Sequence, residues 1–252
     1  MAIEGMDAPF ELEGRLKLDQ FEASLKLFCN HGRMPPAPTR PLRSDAVRNR
    51  DKLLAAAREE FAESGLHASL EAIARRAGVS VGTLYHHFTD RAGLIDAALL
   101  PVVERSMAHA RAALDDPDPW NALVSHLVAI ADWQSRDHGF TDVCVLSLDD
   151  DLPIERAKRE GHGYFEALIA RAQASGDVRA DVTPSDVGLL VWSIVQSTAA
   201  IRAERPTAWK RHLAIMLDGL RAGAAHPLAE PPLDPAQLAE AMAFPGARPG
   251  PR

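Results

Sequence analysis

The chain has 252 residues, of which 46% are hydrophobic and 25% charged, and a formal net charge of −7. That is the balance of a globular protein long enough to bury a core, with no run near the roughly 18 apolar residues of a membrane span. The acidic excess excludes a uniformly basic surface. The two cysteines, Cys29 and Cys144, have neither metal-ligand spacing nor the pattern of a disulfide framework. No basic, then apolar, then small-residue leader opens the sequence, so the cytoplasm is the expected compartment.

In chain order the sequence divides into four regions. Residues 1–39 carry an amphipathic stretch (Leu16, Leu18, Phe21, Leu25, Phe28) and end in a Pro-rich run after Met34. Two readings stay open for residues 1–33: an extra helix, or sequence lying upstream of the native start. Residues 40–95 hold nine Lys/Arg against seven Asp/Glu, a net of +2 that leaves −9 for the remainder. This weak local excess permits a nucleic-acid partner without demonstrating one. Residues 96–225 contain longer helical patterns. Residues 226–252 are rich in Pro, Ala and Gly without periodicity, and are expected to be disordered.

Within 40–95 the spacing predicts three short helices and the start of a fourth. Leu54, Ala57 and Phe61 form one apolar stripe, ended by Gly65. Ser69 is placed to cap a second helix bearing Leu70, Ile73, Ala74 and Ala77, and Gly78 supplies the left-handed turn. Ser80 then caps a third helix, residues 81–88, with Leu84 and Phe88 facing inward and Val79 tucked beneath. Its outer face keeps Gly82, Thr83, Tyr85, His86 and His87, hydrogen-bonding or small groups with no long acid. Such a helix suits close approach to a DNA groove.

The run Ser69-Leu-Glu-Ala-Ile-Ala-Arg-Arg-Ala-Gly-Val-Ser-Val-Gly-Thr-Leu-Tyr-His-His-Phe-Thr-Asp-Arg91 resembles the DNA-binding motif of the TetR/AcrR family, and its flanks Phe61–Gly65 and Gly93-Leu-Ile agree. The resemblance covers about residues 45–98. It implies an all-α, TetR-like fold of about nine helices. A three-helix helix-turn-helix domain at 40–95 would precede a larger ligand-binding and dimerisation domain at 96–225. It further implies that Thr83, Tyr85 and His87 contact phosphates and that Ser69 caps beside one. Val81 and Gly82 would approach base edges, and Arg91 would meet the backbone. Val81 could equally pack on Leu84, and His86 could be merely solvated. Glu71 stands where the family's best-studied member can carry a base-reading arginine; an acid there opposes the DNA backbone and argues against base reading by the second helix. Arg40, Arg43, Arg48 and Arg50 form either a basic arm or a flexible leader.

Beyond residue 95, Asp115-Asp-Pro-Asp-Pro119, Asp149-Asp-Asp-Leu-Pro153 and the connection 176–184 break helical patterns, the first two pairing proline with acids that can cap the next helix. Trp133, Phe140, Val143, Cys144, Tyr164, Phe165 and Trp192 are candidate pocket-lining residues, with ordinary core as the alternative for each. His162, between Gly161 and Gly163, is a candidate polar group there, and the glycine pair marks a kink or a close approach. Two late apolar stripes resemble the family's dimerising helices, with Leu190, Ile194, Ile201, Trp209, Leu213 and Leu217 as interface candidates. The resemblance implies a repressor, homodimeric and released from a palindromic operator in double-stranded DNA by a small molecule, with no cofactor and no membrane. It would be cytoplasmic, and on the nucleoid when bound to DNA. The alternatives are a response to a protein partner, transcriptional activation and, far behind, catalysis, for which no nucleophile elbow, phosphate loop or His-Glu-x-x-His motif is found.

Overall fold

The computed structural model describes residues 42–234. The expectations for residues 1–39, for Arg40 and for the tail from 235 onward lie outside the described residues. Nine α-helices are present among those described: α1 Leu42–Ser64, α2 Leu70–Ala77, α3 Val81–His87, α4 Arg91–Ala113, α5 Pro119–Arg136, α6 His138–Val145, α7 Pro153–Ala174, α8 Pro184–Ser197 and α9 Ala208–Leu220. The only β pairing among the described residues is one antiparallel bridge, Val178 with Arg221. The all-α expectation holds.

The helix boundaries follow local chemistry at many points. Ser69 accepts from the Ala72 amide at 3.0 Å and Ser80 from the Thr83 amide at 3.1 Å, so both expected caps form. Asp118 caps α5 through the Asn121 amide at 3.0 Å, with Pro119 in the first turn, where its missing N–H costs nothing. Gly65 has φ +70° and ends α1, and a Cβ there would run into the Asp142 carboxylate. Position 65 thus needs glycine for both conformation and space.

One cap differs from expectation. The acids 149–151 stand beside Pro153, yet Leu152 caps α7 without a side-chain bond. Asp96 on α4 supplies the acceptor instead, taking the Ile154 amide at 2.8 Å. Asp149 turns back to the Asp151 amide at 3.1 Å and serves its own loop.

Two apolar cores hold the helices together. The first joins Leu53, Phe61, Leu66, Ile73, Leu84 and Leu99 to Phe140, Val143 and Ile154. The three-helix head therefore shares its core with α6 and the start of α7. The second joins Leu123, Leu127, Leu168, Val187, Val191, Val195, Trp209 and Leu213. Each fully buried Leu or Phe contributes roughly 1.5–3 kcal/mol of burial. Trp209 and Leu213, each 2% exposed, are core within this chain and so are withdrawn as interface candidates. They sit on the inner side of α9, toward the second core.

Candidate functional site

The head presents the expected surface. Leu84 and Phe88 are buried, and Tyr85 is 54% exposed. Gly82 and His86 are exposed, while Val81, Thr83 and His87 are partly so, and Val81 packs against the first core. The Thr83 hydroxyl is 2.9 Å from the Ser80 hydroxyl, which fixes the first turn of α3. The His86 and His87 rings meet edge to face at 5.6 Å. Gly78, at φ +69°, makes the turn between α2 and α3 and donates back to Ala74 and Arg75 carbonyls. Arg50 lies over the Phe88 ring at 5.3 Å, which ties α1 to the end of α3.

Arg91 turns inward. Its guanidinium donates to the Leu66 carbonyl and, at 2.6 Å, to the Ala68 carbonyl. Burial lowers its affinity for its proton, which the nearby Glu71 carboxylate partly offsets. The residue expected at the DNA backbone thus closes the α1–α2 turn onto α4. Sequence reasoning missed this because its partners are carbonyls, which carry no sequence signal.

Between α4, α5, α6, α7 and α8 lies a cavity of about 590 Å³. Of the candidates named from sequence, Phe140, Val143, Cys144, Phe165 and Trp192 line it, as does His162. Trp133 and Tyr164 do not. Trp133 stands edge-on to Phe140 at 6.1 Å, beneath Arg105, and Tyr164 directs its hydroxyl to Glu160 at 2.7 Å. Neither glycine marks a close approach: a Cβ at Gly161 would stand in ordinary contact with Met107 of α4 at 3.5 Å, and one at Gly163 would meet nothing within 4 Å.

Sequence reasoning missed the polar part of the wall. His126 is 5% exposed, held against His109 (Nδ1 to Nδ1 3.5 Å) and tilted on Phe165. Burial, helped by His109, pulls its pKa down to about 4, so the ring is neutral at pH 7. Gln134 is likewise 5% exposed, and its Oε1 is buried without a partner. Cys144 also lines the cavity, and burial pushes its thiol up to about 11. A period-three-and-four pattern could place His126 and Gln134 on α5's inner face, but nothing in the sequence says that a hole lies there.

Cavity and head meet at α6. Phe140, Val143 and Cys144 line the cavity, while Gly139 abuts Phe61, so closely that a Cβ would lie 2.8 Å from the Phe61 Cβ. Asp142 accepts from the Leu66 amide at 2.8 Å. His138 meets Arg202 at 3.2 Å.

Residues 53–98 match the family model described as bacterial regulatory proteins of the tetR family. Residues 118–222 match that of the transcriptional regulator SbtR-like C-terminal domain. The HTH-type transcriptional regulator UidR of Escherichia coli K12 is 37% identical over 188 residues, covering 71% of this chain and 96% of UidR. The chain belongs to the TetR family of transcriptional regulators. A further relative is the HTH-type transcriptional repressor KstR2 of Mycolicibacterium smegmatis, 26% identical over 204 residues (74% of this chain, 95% of KstR2). Among solved structures, the TetR family regulator PfmR of Thermus thermophilus matches 71% of this chain and 98% of its own, at TM-score 0.50 and 24% identity, a likeness of fold. The protein is accordingly a DNA-binding regulator, in a family of regulators that are generally repressors with ligand-binding C-terminal domains. Among the described residues, no helix is long and apolar enough to cross a membrane.

Proposed function

We propose that this TetR-family chain is a homodimeric repressor, without a cofactor or catalytic activity, that leaves a palindromic operator when a small molecule fills the cavity. The observation that carries this reading is the double duty of α6, which lines the cavity with one side and holds the head with the other. Two recognition helices must stand about 34–36 Å apart to enter successive major grooves. A ligand that wedges α6 shifts Asp142 and Gly139, and with them Leu66, Phe61 and the turn that Arg91 pins to α4. The ligand must favour the DNA-incompetent spacing by its own binding energy, or it shifts nothing.

The dimer reading rests on the outer sides of α8 and α9 and on the short turn Ala199–Ile201 between them. Leu190, Ile201 and Ile215 are 42%, 44% and 59% exposed, with Ile194 and Leu217 partly covered beside them. Apolar groups left outside on neighbouring helices suit a self-complementary two-fold contact. The site of action is the cytoplasm, and the nucleoid when the operator is occupied.

The test is selection of bound sites from random duplex DNA by the wild type, Thr83→Ala and Tyr85→Ala. A palindrome should be enriched by the wild type. Each variant should lose about tenfold or more in affinity for it, the worth of a hydrogen bond to a charged phosphate. Binding that survives both substitutions would mean that α3 does not read DNA.

A further inference from the structure

The cavity wall itself specifies what it can hold. Every charge on it is already answered by the protein. Lys158 donates to the Glu155 carboxylate at 2.9 Å and to the Leu146 carbonyl, and Glu155 also takes the Leu148 amide at 3.0 Å. Arg159 is held by the side chain and carbonyl of Asp150 at 3.2 and 3.0 Å, and His162 pairs with Glu166 at 3.2 Å. A carboxylate or ammonium entering this space would give up its water for no free counter-charge, which disfavours its binding.

The unspent groups are neutral. Gln134 Oε1 is a buried acceptor with no partner. A buried acceptor left open asks for a donor from whatever fills the cavity. His126 meets His109 through Nδ1, and its Nε2 bonds to no described residue. Around this pair the wall is hydrocarbon and aromatic: Leu127, Ile130, Phe140, Phe165 and Trp192 among others.

We infer that the effector is an uncharged, largely apolar ring compound carrying a hydroxyl that donates to Gln134 Oε1 beside His126. The inference rests on the cavity being the effector site. Its chemistry, however, is read by binding alone, apart from any release of DNA. A pocket of this volume suits a compact, drug-sized molecule. The apolar body supplies affinity, and the single donor supplies orientation.

The experiment titrates the intact chain by calorimetry with four probes on one skeleton: 2-naphthol, 2-methoxynaphthalene, 2-naphthoate and 2-naphthylmethylammonium. The expected order places 2-naphthol first, about tenfold tighter than the methyl ether, which lacks the donor. The two ions should bind more weakly still. In Gln134→Leu, whose fold is checked by circular dichroism, the difference between naphthol and ether should vanish while both still bind. Tighter binding of either ion, no binding of any probe, or a naphthol preference that persists in Gln134→Leu would overturn the inference. The wild-type series decides the question of charge even should the variant not fold. If naphthol binds as expected yet leaves operator DNA bound, the chemistry of the cavity stands and the release reading fails.

Discussion

The reading head and the cavity are built from the same kinds of residue and treat them in opposite ways. In the head, polar groups are consumed locally. Ser69, Ser80 and Asp90 cap their own helices, and Arg91 is used up on two carbonyls. Its interior is closed, with Phe61, Leu66, Ile73 and Leu84 at or below 1% exposure. Around the cavity, Gln134 keeps an unanswered oxygen and His126 a neutral ring, while Phe165 and Trp192 border empty space. A surface that must fit a fixed duplex gains from rigidity, and a chamber that must receive a guest gains from unsatisfied groups. The contrast assigns the stability of this chain to one region and its responsiveness to the other.

The same truncation made in both places puts that contrast to its hardest test. Phe61→Ala should cost about 3–5 kcal/mol, because its neighbours are fully packed and leave a void. Phe165→Ala, which enlarges a hole already present, should cost less than half of that. Urea unfolding of both variants measures this, and equal losses would break the comparison.

The next effect concerns pH. His126 titrates near 4 when folded and near 6.5 in a free chain, so the unfolded state takes up the proton first. Stability from this group is full above about pH 6.5 and drains away as pH falls to about 4. By linkage the loss approaches about 3 kcal/mol. The slope of unfolding free energy between pH 7 and 4.5 should therefore be shallower in His126→Phe than in the wild type. Parallel slopes would show that the ring is not buried as described.

How much of this was legible in the sequence divides along the same line. The head was readable because its instructions are local. A serine three residues before the amide it caps, a glycine at a left-handed turn, and Leu84 one turn from Phe88 all lie within a single window. What escaped was set by contacts distant in the chain. Asp96 caps a helix 58 residues away, and Asp142 caps a turn 76 residues away. Trp209 and Leu213 looked like an interface because an apolar stripe does not say whether its partner is the same chain or another. The cavity was legible only as a list of apolar and aromatic residues, of which Phe140, Val143, Cys144, Phe165 and Trp192 border it and Trp133 and Tyr164 do not. A hole is the absence of atoms, and no residue spells it.

The junction between the regions is tested by Gly139→Ala. The added methyl would stand 2.8 Å from the Phe61 Cβ and 3.1 Å from the Phe61 carbonyl carbon and oxygen. Backbone cannot yield as a flexible side chain does, so overpacking of about 1–3 kcal/mol is expected. It should appear as a Tm lowered by several degrees, together with weaker operator binding. A variant as stable as the wild type, with unaltered binding, would mean that α6 is not seated on the head.

The smallest expected effect has the opposite sign. Gly163 lies inside α7, where a Cβ would meet nothing within 4 Å, so the helix there gains no packing from lacking a side chain. Gly163→Ala should stabilise by about 0.5–1 kcal/mol, by restricting the unfolded chain and favouring the helix. At about 2–4 °C per kcal/mol for a chain of this size, the Tm should rise by roughly 1–4 °C. Gly161, two residues earlier, sits 3.5 Å from Met107 in ordinary contact, and its substitution should bring less benefit, if any. If both substitutions stabilise equally and ligand titrations stay unchanged, α7 is a passive wall of the cavity. If Gly163→Ala stabilises the chain but blunts its response to ligand, the glycine marks where this wall yields, and responsiveness is held at a measurable cost in stability.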